Sequence, residues 1–85
     1  MFSIEFSSNA TKFLKKSQKE ITNRIIETIR KLKTNPFPSD VKRVVGKRDK
    51  IFRVRVGNYR IQYSVFHDKN LIFISDIDKR ERAYD

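Results

Sequence analysis

The side chains best suited to chemistry in this 85-residue chain are arginines that alternate with apolar residues. Arg53 and Arg55 precede a Gly57-Asn58 pair, and Arg60 follows it. A guanidinium group stays charged and can bind two phosphate oxygens at once, so several of them on a rigid support make a preorganised clamp for a phosphodiester. Such a clamp can bind an anion, or it can stabilise the negative charge that develops during attack on a phosphate.

A β-hairpin would hold these arginines on one side of a sheet. Two-residue Gly-Asn loops favour the primed turns of hairpins, because both residue types tolerate positive φ. With this loop, the register places Arg55 opposite Arg60 and pairs the flanking positions as Val56 with Tyr59, Val54 with Ile61, and Arg53 with Gln62. Side chains alternate between the two faces of a strand. The residues expected on the face away from the helices are therefore Arg53, Arg55, Arg60 and Gln62.

Folding alone does not favour Arg55 opposite Arg60. Directly opposed like charges destabilise a sheet, by about a few tenths of a kcal/mol or more. The functional interpretation of the pair is an anion site. The structural alternative is that the arginines extend into water or form ion pairs with the nearby acidic residues Asp76, Asp78 or Glu81.

The first half of the chain predicts one strand and two helices. Residues 2–6 alternate like a half-buried strand. Ser8 or Asn9 can cap a first helix, whose apolar positions are Ala10, Phe13 and Leu14. A second helix from Glu20 to about Lys33 carries an apolar stripe formed by Ile21, Ile25, Ile26, Ile29 and Leu32. The run Asn35-Pro36-Phe37-Pro38 ends this helix.

The second half predicts strands: a weak one around Val41 to Val45, the two hairpin arms from Ile51 to Val65, and a final strand from Leu71 to Ile77. A turn at residues 67–70 precedes the final strand, and a polar tail from Asp78 to Asp85 follows it. Helices in one run and strands in another favour an α+β fold. We expect an N-terminal strand and a two-helix hairpin packed on a twisted antiparallel sheet. The first strand could pair at an edge or in the middle, and residues 1–85 are expected to form a single domain.

Composition narrows the classes of partner. Twenty Lys and Arg against ten Asp and Glu give a net charge of +10, which favours a polyanionic partner, although a solvated basic surface is the alternative. The chain has no cysteine, and His67 is its one histidine, so we expect no metal site and no cofactor. No apolar run approaches the roughly 20 residues that span a bilayer, and the start of the chain lacks the order of a signal peptide. We therefore expect a soluble, cytoplasmic protein.

Four motifs taken together resemble RelE-type toxins of the RelE/ParE superfamily. They are, in chain order, Ala10-x-x-Phe13-Leu14-Lys15-Lys16, then Asn35-Pro36, then the run FRVRVGNYRIQY from Phe52 to Tyr63, and finally Arg80-x-x-x-Tyr84. The resemblance spans nearly the whole chain. Its most specific part is the hairpin sequence R-V-R-V-G-x-Y-R followed by a basic and aromatic tail.

The resemblance implies a compact RelE-like fold and a metal-independent endoribonuclease, the toxin of a type II toxin–antitoxin system. A toxin of this kind enters the A site of the 70S-type ribosome and cuts the mRNA there. The implied chemistry is attack of a ribose 2′-oxygen on the adjacent phosphate. The resemblance also implies a RelB-like antitoxin protein that holds the toxin inactive.

Residue roles also follow from the resemblance. The implied catalytic residues are Arg53, Arg55, Arg60, Arg80 and Tyr84. Arg60 would hold the scissile phosphate, Arg80 would neutralise developing charge or assist the leaving group, and Tyr84 would stack on or activate the nucleotide. Further RNA-binding candidates are Lys47, Arg48, Lys50, Lys79 and Arg82.

Two departures from the best-known pattern leave the proton carrier open. Both strand positions are arginine where lysine is common, and arginine is too weak an acid to exchange protons readily at neutral pH. Some relatives have histidine where this chain has Lys79.

Two alternative functions remain: ParE-like inhibition of DNA gyrase, whose proteins generally lack the basic-aromatic tail, and nucleic-acid binding without catalysis.

Overall fold

The computed structural model describes residues 1–39, 41–44 and 50–79. Its elements are, in order, β1 (Ser3–Phe6), α1 (Ser8–Lys16), α2 (Lys19–Leu32), β2 (Lys42–Arg43), β3 (Phe52–Val56), β4 (Tyr59–Phe66), a 3₁₀ turn (His67–Lys69) and β5 (Leu71–Lys79). The strands form one sheet in the order β1-β5-β4-β3-β2, and the helices pack on one face of it. This confirms the predicted α+β fold. Within the described ranges, no helix has the length and apolar character needed to cross a lipid bilayer.

Strand β1 lies at one edge of the sheet, which resolves the question that periodicity left open. It runs parallel to β5, with Ile4 beside Ile72, whereas the other neighbouring strands are antiparallel. At the opposite edge, β2 contributes only Lys42 and Arg43 of the predicted stretch, and Val45 falls outside the described residues. The sheet is therefore mostly antiparallel, with one parallel edge strand.

The core lies between α2 and the sheet. Ile25, Ile29 and Leu32 of α2 are buried, which confirms the predicted stripe. Across from them, the buried sheet residues are Val54, Val56, Ile61, Tyr63, Ile72, Ile74 and Ile77. The hydroxyl of Tyr63 donates a hydrogen bond to the carbonyl oxygen of Pro36 at 2.6 Å. This bond ties the segment after α2 to the middle of the sheet.

The first helix is capped by Ser7, so the prediction of Ser8 or Asn9 is wrong. Ser7 has extended backbone angles, and its hydroxyl accepts a hydrogen bond from the amide of Ala10. The same hydroxyl donates to the carbonyl oxygen of Ser75 on β5, at 2.7 Å. Helix propensity alone could not select among three adjacent polar residues, because the contact that favours Ser7 joins positions far apart in sequence.

Strand β5 continues to Lys79, so the prediction that the strand ends at Ile77 and a polar tail begins at Asp78 is wrong. The register shifts between Gln62 and Tyr63 of β4, which leaves Ser75 as an extra residue on β5. A bulge of this kind lets one strand carry an unpaired residue and keep its hydrogen bonds on both sides. The alternation of faces restarts after the bulge, and the last residues of β5 stay paired with β4.

Candidate functional site

The β3–β4 hairpin has the register that the sequence predicts. Val56 pairs with Tyr59 and Arg55 pairs with Arg60, around a loop in which Gly57 has a φ of +59°. A positive φ at the first loop position fits a type II′ turn, for which glycine is the favoured residue. We call the sheet face opposite the helices the arginine face; its hairpin residues are Arg53, Arg55, Arg60 and Gln62.

One row of charged residues crosses the arginine face on three adjacent strands. Arg55 of β3 lies opposite Arg60 of β4, and Arg60 lies opposite Asp78 of β5. The Nε of Arg60 donates to Oδ1 of Asp78 at 2.7 Å, and its Nη2 donates to Oδ2 at 3.2 Å. The pairing is therefore bidentate. The structural alternative raised from the sequence, an ion pair with Asp78, is confirmed for Arg60.

The bulge at Ser75 explains why Asp78 lies on the arginine face. Before the bulge, Ile72 and Ile74 point into the core; after it, Ile77 does so, three positions later. An uninterrupted strand would have placed Asp78 on the same side as Ile74. The spacing of three between Ile74 and Ile77 is the sequence signal that could have indicated this change of face.

A second row lies next to the first and has the same polarity. It runs from Lys42 on β2 through Arg53 on β3 and Gln62 on β4 to Asp76 on β5. In both rows the basic residues lie toward β3 and the acidic residue lies on β5. The arginine face is therefore positive toward β3 and negative along β5.

An apolar groove of about 480 Å³ continues the arginine face beyond the second row. Ile51, Phe66 and Phe73 form its apolar walls, and Phe66 is 41% exposed. Lys50, one of the predicted RNA-binding residues, lies at its border together with Ser64. The structure therefore brings Lys50 to the same face as the arginines, and it adds exposed aromatic surface that the sequence analysis did not identify.

Lys79 lies on the other face of the sheet. It pairs with Tyr59, whose ring packs edge-on against Phe13 of α1 at 5.7 Å between centroids. These residues border a groove of about 640 Å³ between the helices and the sheet, which we call the helix-side groove; its lining includes Phe13, Ile21, Tyr59, Ile77, Lys12, Lys16 and Lys79. The structure does not bring Lys79 together with the arginines.

The remaining predicted site residues lie outside the described parts of the chain. They are Lys47, Arg48, Arg80, Arg82 and Tyr84. Among the residues that are described, the arginines can bind and neutralise an anion, but they exchange protons poorly. His67 is exposed, and its ring packs at 5.8 Å from that of Phe2 and at 6.0 Å from that of Phe37.

Comparisons with known proteins agree with this architecture. Residues 4–84 match the family model described as the ParE toxin of the type II toxin–antitoxin system parDE. A protein of Methanocaldococcus jannaschii that carries the name toxin RelE1 is 40% identical over 86 residues, covering 98% of this chain and 94% of the relative.

Two solved structures are similar along nearly their full length. The archaeal RelE–RelB complex from Pyrococcus horikoshii OT3 contains a chain with 29% identity and a TM-score of 0.82, covering 96% of this chain and 98% of that one. The isolated E. coli RelE toxin has a TM-score of 0.82 with 19% identity, covering 98% of this chain and 88% of that one, and so supports the fold alone. From these matches and the observed fold, the chain is a RelE-like member of the RelE/ParE superfamily of toxins from type II toxin–antitoxin systems.

Proposed function

We propose that this protein is a ribosome-dependent endoribonuclease that acts in the cytoplasm and inhibits translation by cutting mRNA in the A site. The observation that carries the proposal is the row in which Arg55 lies opposite Arg60 on the face away from the helices. Two positive charges directly opposite each other on a sheet repel, and this repulsion opposes folding. An anion that binds between or above them interacts favourably with both charges. A phosphodiester is the anion that fits a guanidinium fork.

In the proposed reaction, the 2′-oxygen of one ribose attacks the adjacent phosphorus. The 2′-hydroxyl loses its proton, the bond from phosphorus to the 5′-oxygen breaks, and that oxygen takes up a proton. Negative charge grows on the non-bridging oxygens, and Arg60, assisted by Arg53 and Arg55, stabilises it. Stabilising charge that is larger in the transition state than in the substrate is what accelerates the step.

The arginines themselves are not expected to move protons, because guanidinium groups remain charged at neutral pH. The family resemblance assigns the remaining chemistry to the tail, with Arg80 at the leaving group and Tyr84 on the nucleotide. Dependence on the ribosome fits a site whose own described groups supply charge but little acid–base chemistry, since the ribosome can then supply alignment. Metal independence likewise comes from the resemblance.

The apolar groove beside the arginines supports a single-stranded RNA substrate. Proteins that bind single strands combine a positive track for the backbone with aromatic side chains on which bases stack. Phe66 and Phe73 are on the same face as Arg53, and Lys50 borders the groove. A nucleotide next to the scissile phosphate could place its base in this groove.

The proposed protein partner is a RelB-like antitoxin. The Pyrococcus relative was crystallised as a RelE–RelB complex. In this chain, the helix-side groove combines an apolar floor with three lysines, Lys12, Lys16 and Lys79, at its border. Such a groove fits a segment with apolar and acidic residues, because apolar burial supplies affinity and opposite charge speeds the encounter.

The experiment that tests the proposed activity is addition of the purified protein to a translating extract that contains one defined message. Cleavage within codons in the A site, suppressed by the antitoxin, supports the proposal. Intact message in an extract whose translation is nevertheless blocked would contradict it.

A second candidate function is inhibition of DNA gyrase, which is favoured by the ParE description of the matching family model. The two candidates predict different products. A gyrase inhibitor leaves mRNA intact and causes gyrase-dependent DNA breaks. A supercoiling assay with purified gyrase, run with the same protein preparation, therefore separates them.

A further inference from the structure

The ion pair between Arg60 and Asp78 occupies part of the proposed phosphate site. The carboxylate of Asp78 meets the Nε and Nη2 atoms of Arg60, with the two oxygens each receiving one hydrogen bond. A phosphate presents two oxygens to the same edge of a guanidinium group in the same manner. The carboxylate is therefore the geometric equivalent of the anion that the site is proposed to bind.

The sheet keeps this pair in place. Arg60 and Asp78 are directly opposed on β4 and β5, so their Cα positions are fixed by the backbone hydrogen bonds of the sheet. Their side chains are only 22% and 38% exposed, which shields the pair from solvent more than an ordinary surface ion pair is shielded. An RNA phosphate must compete with a carboxylate that is already positioned.

Asp78 also reduces the repulsion between like charges in the folded protein. The row on the arginine face begins with two opposed arginines, and Asp78 supplies a negative charge at its other end. Its carboxylate offsets part of the repulsion that Arg55 and Arg60 would otherwise exert on each other. The same charge that stabilises the row must weaken the binding of any other anion to Arg60.

Resting on the proposed function of the arginine face, we infer that Asp78 is an internal competitor for RNA phosphate at Arg60. It stabilises the fold and restrains the affinity of the site in the free toxin. Substrate binding then exchanges the carboxylate for a phosphate on the same guanidinium edge. No bond is made or broken in this exchange, and the released carboxylate becomes hydrated.

Removing the negative charge of Asp78 should raise the affinity for RNA and lower the stability of the fold. Asp78→Asn keeps the size of the side chain and one oxygen acceptor but removes its charge. Its affinity for a 2′-O-methyl oligouridine, which lacks the attacking hydroxyl and is not cut, should rise about three- to tenfold, because one nearby negative charge is lost. Its unfolding midpoint should fall. A residue with only a structural role would lower the midpoint and leave the affinity unchanged or weaker.

Asp76→Asn is the matched control. Asp76 is on the same strand and the same face, but it pairs with Gln62 instead of an arginine. The substitution makes the same change in net charge, so any general electrostatic gain appears in both variants. The inference requires a clearly larger gain for Asp78→Asn, and it requires the excess to disappear in the double variant Arg60→Gln/Asp78→Asn. Equal gains in the two single variants would overturn it.

A measurement on the unaltered protein removes any dependence on variant folding. The Nε–H group of Arg60, which donates to Asp78 at 2.7 Å, gives its own signal in ¹⁵N-resolved NMR spectra. Titration with the same oligouridine should shift this signal and saturate together with binding. A signal that stays in place while the oligouridine binds would show that the pair is retained, and would refute the exchange.

The Arg60→Gln variant distinguishes a failure of the proposed RNA site from a failure of the competition by Asp78. If Arg60→Gln binds the oligouridine as well as the unaltered protein does, the arginine face is not the RNA site and both ideas fail. If Arg60→Gln binds weakly but Asp78→Asn gains no more than Asp76→Asn, the site stands and only the competition by Asp78 is rejected.

Discussion

Arg55 and Arg60 lie directly opposite each other on the two arms of the β3–β4 hairpin. A two-residue loop with a positive φ at Gly57 fixes this register, so the two guanidinium groups cannot move apart by strand slippage. Asp78, which pairs with Arg60, offsets part of the repulsion between the two arginines. The rigid sheet holds both charges on one face, where they can bind a phosphate together, and this is the basis of the functional proposal.

The first prediction concerns Arg60. Arg60→Gln should reduce mRNA cleavage about 10²- to 10³-fold, the usual loss when one charge-stabilising donor is removed from a transition state. Its unfolding midpoint should fall as well, because Asp78 loses the partner of its ion pair, so cleavage is compared under conditions in which both proteins are folded. Arg30→Gln is the control, because Arg30 is an exposed arginine of α2 that is 3.8 Å from Glu27 and has no place on the arginine face. Equal losses of cleavage in both variants would contradict the assigned role.

The second prediction concerns the exposed ring of Phe66. Phe66→Ala should weaken binding of single-stranded RNA about 5- to 150-fold, since a base stacked on an aromatic ring contributes about 1–3 kcal/mol. The salt dependence of binding should stay the same, because no phosphate contact is lost. Binding measured by fluorescence anisotropy at several salt concentrations provides both quantities.

Phe6→Ala is the control for Phe66. Phe6 of β1 is similarly exposed, at 38%, but it is paired with the buried Ile74 of β5 and so lies on the helix side. Its removal should leave RNA affinity unchanged. Arg53→Gln should show the complementary pattern, with a weaker affinity and a smaller dependence on salt. An unchanged affinity in Phe66→Ala would exclude the groove as a base-binding site.

The third prediction tests the start of α1. Ser7→Ala should lower the free energy of unfolding by about 0.5–2 kcal/mol, because it removes the helix cap and leaves the amide of Ala10 without that acceptor. The bond to the carbonyl of Ser75 is lost as well. Ser8→Ala, at the neighbouring exposed position, should change stability by less than about 0.5 kcal/mol. Chemical denaturation measures both, and the reverse order would show that the cap is assigned to the wrong serine.

The fourth prediction concerns the partner. Lys16→Glu reverses one charge at the border of the helix-side groove. Association with the cognate antitoxin should become slower and less dependent on salt, whereas RNA binding at the arginine face should be nearly unchanged. Lys31→Glu, on an exposed part of α2 outside this groove, is the matched charge reversal. Surface plasmon resonance would distinguish them, and equal effects would indicate general electrostatics instead of a groove.

Local patterns were sufficient to predict much of this molecule. The isoleucine stripe of α2 and the two-residue loop at Gly57 are short-range signals, and each fixes one feature: the buried face of a helix and the pairing of Arg55 with Arg60. The first follows from periodicity and the second from the turn preferences of glycine and asparagine, and both depend only on neighbouring residues.

Other features depend on contacts between distant residues, and the sequence could not settle them. Ser7 becomes the cap partly through its bond to Ser75, 68 positions away. The bulge at Ser75 then decides that Asp78 faces Arg60 and that Lys79 faces the helices. A one-residue change in alternation thus moved an acidic side chain into the candidate site and a basic one out of it. Arg80 and Tyr84, which the family resemblance adds, lie outside the described residues.

The most direct test of the central claim is primer extension on one defined message, with purified ribosomes stalled on a known codon. The protein is added with and without ribosomes, and Arg60→Gln is run in parallel. We predict a new 3′ end within the A-site codon that requires ribosomes and is lost with Arg60→Gln. Cleavage that Arg60→Gln retains in full, or no cleavage with ribosomes present, would contradict the claim that the arginine face is the active site of a ribosome-dependent ribonuclease.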